Sequence, residues 1–147
     1  MSSPRPTPRA RRPAAPAAAG SGSPGGAGVS MELTTKDRAA LDATIRSAEQ
    51  LCRAEISVYV GKVDGDDARA FATSLHNTLV APARSILIMV DPERHVVEVV
   101  TGGYVRRNLT DDETALAVEE MTRSFADGDL AGGLTRGIRL LADHARA

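Results

Sequence analysis

Four aspartates, Asp64, Asp66, Asp67 and Asp91, are the residues of this chain best suited to hard-cation chemistry. Carboxylate oxygens gathered in one place coordinate calcium or magnesium. A cation held there would polarise a phosphoryl oxygen and activate water, making the chain a divalent-cation-dependent, phosphatase-like hydrolase. The same residues also serve as helix caps and turn formers, and Asp64-Gly65-Asp66 lacks the spacing and terminal Glu of an EF-hand loop. A second group is Gly102 and Gly103 followed by Arg106 and Arg107. Backbone amides beside guanidinium groups hold phosphate or carboxylate, although this stretch has neither the length nor the Lys-Ser/Thr end of a phosphate loop. The alternative is a turn followed by two solvated arginines that pair with Asp111, Asp112 or Glu113.

The inventory for nucleophilic or zinc chemistry is short. Cys52 falls on an apolar helical stripe, where a thiol acts as a small core residue. His76, His95 and His144 lack the spacing of a zinc pair. Ser-His-Asp sets assemble in space and are not legible in one chain, so the residues leave open whether this is an enzyme.

Positioning these groups requires a succession of elements that the hydrophobic pattern supplies. Leu41, Ile45, Ala48, Leu51 and Cys52 recur at helical spacing, with Thr34 and Asp37 as a cap, which predicts a helix to about Arg53. Ile56, Val58 and Val60 alternate with Ser57 and Tyr59 and stop at Gly61, as in a strand with two different faces. Asp64 to Asp67 then supply turn and cap chemistry before a second amphipathic helix carrying Ala68, Phe71, Ala72, Leu75 and Leu79. Ile86 to Val90 is a continuous apolar run, expected where a central strand is covered on both faces. Asp91-Pro92-Glu93-Arg94 is a tight turn into Val96 to Val100, giving an antiparallel hairpin. Thr110 and Glu113 form a capping box for a third helix with a stripe of Ala115, Val118, Met121, Thr122 and Phe125. Gly128 and Asp129 separate it from a fourth, striped by Leu130, Leu134, Ile138 and Leu141, in which Gly133 and Gly137 allow close approach.

The expected fold class is therefore α/β, a small mixed sheet made of a parallel crossover and an antiparallel hairpin, flanked by helices and followed by a C-terminal helical hairpin. Ligands of such sheets sit outside the carboxyl ends of parallel strands. Those ends carry Asp64, Asp66 and Asp67 after the first strand and Asp91 after the second, with the glycine-arginine group at the opposite end.

Residues 1–30 differ in kind from the rest. They hold six of the chain's eight prolines, five of its thirteen glycines and no Phe, Tyr, Leu or Ile, too little apolar surface to offset the entropy of ordering. The expected organisation is a disordered tail, or an extension upstream of a start at Met31, followed by one domain over 31–147. The tail's charges are four arginines, so of 18 basic residues 14 remain against 19 acidic ones, a net of −5 for the domain. The arginines allow weak peripheral contact with anionic lipid. Two Tyr, two Phe and no Trp argue against a stacking platform for nucleic acid. A lone cysteine and no apolar run of spanning or signal length lead to a cytoplasmic expectation.

Residues Leu33 to His144 resemble a TPM domain, closest to a compact actinobacterial branch of unknown function. The segments that carry the resemblance are Ile56 to Gly61, Ile86 to Gly102, Leu109-Thr110-Asp111, and Phe125 to Leu130 with Gly133-Leu134. Typical members have a Gly-x-Gly-x-Glu segment after the hairpin. Here Gly102 fits its first position, but Tyr104 replaces the second glycine and Arg106 stands where the Glu would fall. Arginine does not ligate cations. The resemblance implies the α/β fold and a non-catalytic binding or regulatory module with a protein partner, and, from relatives that bind calcium or hydrolyse phosphate esters, the hydrolase as the alternative.

Overall fold

The computed structural model describes residues 32–146; the tail assigned to 1–30, with Met31 and Ala147, lies outside the described residues. Thr34 opens the first helix, α1 (Thr35–Cys52), by a reciprocal capping box with Asp37, and the helix closes on Arg53. Strand β1 (Glu55–Val60), helix α2 (Ala68–Asn77), and strands β2 (Ser85–Asp91) and β3 (Val96–Thr101) follow, then α3 (Asp111–Ala126) and α4 (Leu130–His144). The sheet order is β1-β2-β3. Strand β2 pairs in parallel with β1, in register Ile56 to Ile86, and antiparallel with β3, Ile88 opposite Val99.

All seven residues of β2 are buried, because both sheet faces are covered. Ile56, Val58, Ile86, Ile88 and Val99 join the larger core with α1, α3 and α4. Leu87, Met89 and Val100, pointing the other way, meet Ala72, Phe71 and Leu75 of α2, as the two-residue period of a strand requires. Each edge strand is capped by a side chain that takes one backbone group out of circulation: Glu49 Oε2 accepts from the Ile56 amide at 2.9 Å, and Arg69 donates to the Val99 carbonyl at 2.8 Å. Such devices discourage edge-to-edge pairing.

The stripe of α4 is as expected, with Leu130, Leu134, Ile138 and Leu141 fully buried. That of α3 differs. Its buried residues are Ala117, Met121, Ser124 and Phe125, while Ala115 and Thr122 are exposed. Gly133 and Gly137 of α4 bring that helix against Ser124, Phe125 and Met121, so small residues form the contact and hydrophobicity alone does not mark it. Leu51 also departs from expectation, being 42% exposed.

At the start of α3, Glu113 accepts from the Thr110 amide at 3.0 Å and faces His144 Nδ1 at 3.2 Å, tying the two ends of the helical pair together. The amide bond first, and the nearby His144 among smaller effects, hold its carboxyl below the usual value of 4.5. A carboxyl lowered by folding stabilises above its unfolded pKa and loses that contribution as pH falls through the folded one. Glu113→Gln is therefore expected to lower the urea midpoint near neutrality, with the deficit shrinking below pH 4.5. A deficit of constant size from pH 7 down to about pH 3 would contradict this.

Candidate functional site

The carboxyl ends of β1 and β2 do gather the aspartates in one region, but each is differently employed. Asp91 is buried, at 1% exposure. Its Oδ2 accepts from the Val63 amide at 3.0 Å, and its Oδ1 from the Glu93 and Arg94 amides at 3.1 and 3.3 Å. Arg94 in turn donates to the Val63 and Gly65 carbonyls, both at 3.1 Å. The β1–α2 loop and the hairpin turn are thus joined across 28 residues of sequence by one carboxylate and one guanidinium. Asp67 caps α2 through the Ala70 amide at 3.0 Å, and Asp64 and Asp66 are exposed. Burial, reinforced by the charges of Asp64 and Asp91, pushes the Tyr59 hydroxyl above its ordinary pKa. Among the described residues, no three His, Cys, Asp or Glu side chains form a group that could hold a metal ion. Asp91 and Arg94 fasten two loops at this end.

At the opposite end, the glycine-arginine segment is built otherwise than as an anion loop. Gly102 spends its amide on the Ser85 carbonyl at 3.0 Å, and a Cβ there would collide with the Pro82 and Ala83 carbonyls. Arg106 donates to the Thr101 carbonyl, which anchors it to the strand end. Arg107 lies over the Tyr104 ring, 4.6 Å from its centroid, and Arg84 lies 4.3 Å from the same centroid. Cation–π contacts of this kind leave the outer donors of a guanidinium available.

Tyr104 marks a cleft of about 650 Å3 that sequence reading missed. Arg53, Arg84 and Arg146 line it together with Gln50, Asn108 and Tyr104, and among the described residues no carboxylate side chain lines it. Three separate elements deliver the arginines. Arg53 is the C-cap of α1, its amide bonded to the Glu49 carbonyl at 2.8 Å. Arg84 ends a 3-10 turn, Pro82–Arg84, held against the end of β3 by the Gly102 contact and by the Tyr104 amide on the Ala83 carbonyl at 2.9 Å. Arg146 follows the end of α4 and shares its charge with Asp143 at 3.3 Å. Two helix C-termini meet here, and their partial negative charge favours cations beside them. That accounts for a positive residue after each helix. It does not account for Arg84, nor for the backbone of Arg53, whose φ of 61° is the left-handed conformation that favours glycine.

Cys52 is buried behind this cleft, and burial first of all raises its thiol pKa above 9.0. His76 is also buried, with Nε2 at 3.0 Å from the Ser85 carbonyl. A carbonyl only accepts, so Nε2 bears the proton. His95 sits at φ 56° in the hairpin turn.

A three-stranded mixed sheet between a single helix on one face and three on the other defines this protein as a small α/β domain. Residues 17–142 match the profile described as "Domain of unknown function (DUF5130)", and the chain belongs to that family. It is 29% identical over 119 residues to the uncharacterized protein Rv2468c of Mycobacterium tuberculosis, spanning 81% of this chain and 71% of the relative. Its fold is similar to that of the BA42 protein from Bizionia argentinensis, with a TM-score of 0.70 at 22% identity over 77% of this chain and 81% of the other. It also resembles the N-terminal domain of the cg2496 protein from Corynebacterium glutamicum, with a TM-score of 0.65 at 16% identity over 84% of each chain. These likenesses show the fold. Among the described residues no helix is long and apolar enough to cross a membrane.

Proposed function

We propose that this domain is a non-catalytic binding module that recognises an anionic group, phosphate or carboxylate, through the cleft of Arg53, Arg84 and Arg146. The observation that carries the reading is the concentration of three guanidinium groups, with no carboxylate side chain among the described lining residues, at one end of a domain whose net charge is −5. All three arginines are exposed, so their charge reaches a ligand. A guanidinium offers a planar fork of donors matched to both anions. The non-catalytic part of the reading rests on the employment of Cys52 and His76 in the core, and the resemblance to TPM domains agrees with it. The hydrolase alternative would draw on Asp64, Asp66, Asp67 and Asp91 with bound calcium or magnesium; the three amide bonds to Asp91 favour the cleft.

Inorganic phosphate titrated into the labelled full chain, followed by amide shifts, tests the proposal. Saturable shifts are expected at Arg53, Arg84, Tyr104 and Arg146. Arg84→Gln should weaken binding by about fivefold or more, the loss of one charged hydrogen-bond partner. Arg53→Gly should weaken it while raising thermal stability by about 1 kcal/mol, because glycine relieves the left-handed strain. Weak, non-saturating shifts spread over the surface would overturn it.

A further inference from the structure

A second concavity adjoins the arginine cleft. It has a volume of about 750 Å3 and runs between α1 and α4, where Ala43, Thr44, Ala48, Leu51, Leu140 and Ala142 line it. Leu51 lines both clefts. Its neighbours Ala48 and Cys52 are 5% exposed, whereas Leu51 itself is 42% exposed and Tyr104, on the far wall of the arginine cleft, 40%. A leucine and a tyrosine left half-open beside arginines have the composition of an interface anchor. A free inorganic anion would touch neither apolar surface.

The charges around the groove fall on one side. Glu120, one of its two acidic lining residues, is paired with Arg136, and Asp143, the other, shares the charge of Arg146, which leaves Arg53 and Arg84 as the cleft arginines with no carboxylate partner among the described residues. Arg139 is exposed on the groove wall, with no ion pair among the described residues. The complement of this surface is negatively charged at the arginine end and aliphatic along the groove.

We infer that the ligand of the cleft is an acidic peptide segment, with an Asp, Glu or phosphorylated side chain among Arg53, Arg84 and Arg146 and an aliphatic side chain seated in the groove beside Leu51. This rests on the anion-binding reading above and adds to it the class of partner. Leu51 and Arg53 are two residues apart at the end of α1, so the acid and the aliphatic residue are close neighbours in an extended peptide, about one to two positions apart.

A positional-scanning heptapeptide library, panned on the immobilised full chain, tests the inference, with the phosphate titration run in parallel. The four N-terminal arginines, Arg5, Arg9, Arg11 and Arg12, are common to every variant, so differences between variants read the cleft and groove alone. The expected result is enrichment of Asp or Glu with Leu, Ile or Met about one to two positions away. Ser47→Gln, which fills the groove one turn before Leu51 at an exposed position lining the groove and not the arginine cleft, should then weaken the enriched peptide by about fivefold and leave phosphate binding as it was, whereas Arg84→Gln weakens both. Acidic enrichment without an apolar preference, or indifference to Ser47→Gln, would overturn the peptide inference while saturable phosphate shifts kept the cleft. Binding to phosphatidylserine vesicles that is lost in Arg84→Gln, with no peptide enriched, would overturn it in favour of a lipid surface. Loss of both phosphate shifts and peptide enrichment in the wild type would remove the anion-binding reading itself.

Discussion

Gly102→Ala is expected to destabilise the domain by about 3 kcal/mol or more, the upper range for forcing an extra carbon into a packed site. For a domain of this size that lowers the melting temperature by on the order of 10 °C. The cause is space. A Cβ at Gly102 would lie inside the Pro82 and Ala83 carbonyls, and these are backbone atoms that no rotamer change moves aside. Relief requires the Pro82–Arg84 turn to separate from the end of β3, which breaks the hydrogen bonds donated by the Gly102 amide to the Ser85 carbonyl and by the Tyr104 amide to the Ala83 carbonyl. The stacking of Arg84 on the Tyr104 ring would then be lost. Any folded fraction of the variant should accordingly bind phosphate less well. Gly103→Ala is the control, since the nearest atom to a Cβ there is the tip of Arg106 at 4.0 Å, and its effect should stay within about 0.5 kcal/mol. Thermal and urea denaturation of the two variants decide the matter. Equal stabilities would contradict the packing described.

Asp91→Ala should be about as damaging, at about 3 kcal/mol or more, because hydrogen bonds to a charged partner contribute about 1.5–3 kcal/mol each and their loss strands buried donors. Three amides, those of Val63, Glu93 and Arg94, lose their acceptor together. Asp91→Asn keeps one oxygen and turns an NH2 group towards donors, so it should fall between the wild type and the alanine variant. Amide exchange at Val63 provides a local reading, expected to accelerate in both variants. Wild-type stability and exchange in Asp91→Ala would contradict the fastening role.

Most of the architecture was legible because it is written in patterns that tolerate no alternative partner. The unbroken apolar run Ile86 to Val90 marks a strand buried on both sides, and all of it is buried. Thr34 with Asp37, and Thr110 with Glu113, form the capping boxes expected of them. The face of α3 was misread where packing depends on smallness, as Ser124 beside Gly133 shows. Leu51 has the helix position of a core residue. The positions between α1 and α4 that would cover it are occupied by small side chains, and the groove stays open.

The arginine cleft is a different kind of omission. Arg106 and Arg107 stand out beside two glycines, yet one is tied to Thr101 and the other stacks on Tyr104. Arg53, Arg84 and Arg146 are scattered through the sequence, and only the meeting of two helix ends with the Pro82–Arg84 turn brings them together. The sequence held one faint signal, a bulky residue at the helix stop Cys52-Arg53-Ala54 where glycine suits the backbone.

The most direct test of the account is the phosphate titration of the full chain compared with its Arg53→Gly variant, with thermal stability measured on the same samples. The account predicts saturable amide shifts centred on the cleft in the wild type, weaker binding in the variant, and a higher melting temperature for the variant, so that stability and binding move in opposite directions. Unchanged phosphate affinity in a variant of higher stability would show that Arg53 is a helix stop and nothing more, and would contradict the cleft as a binding site.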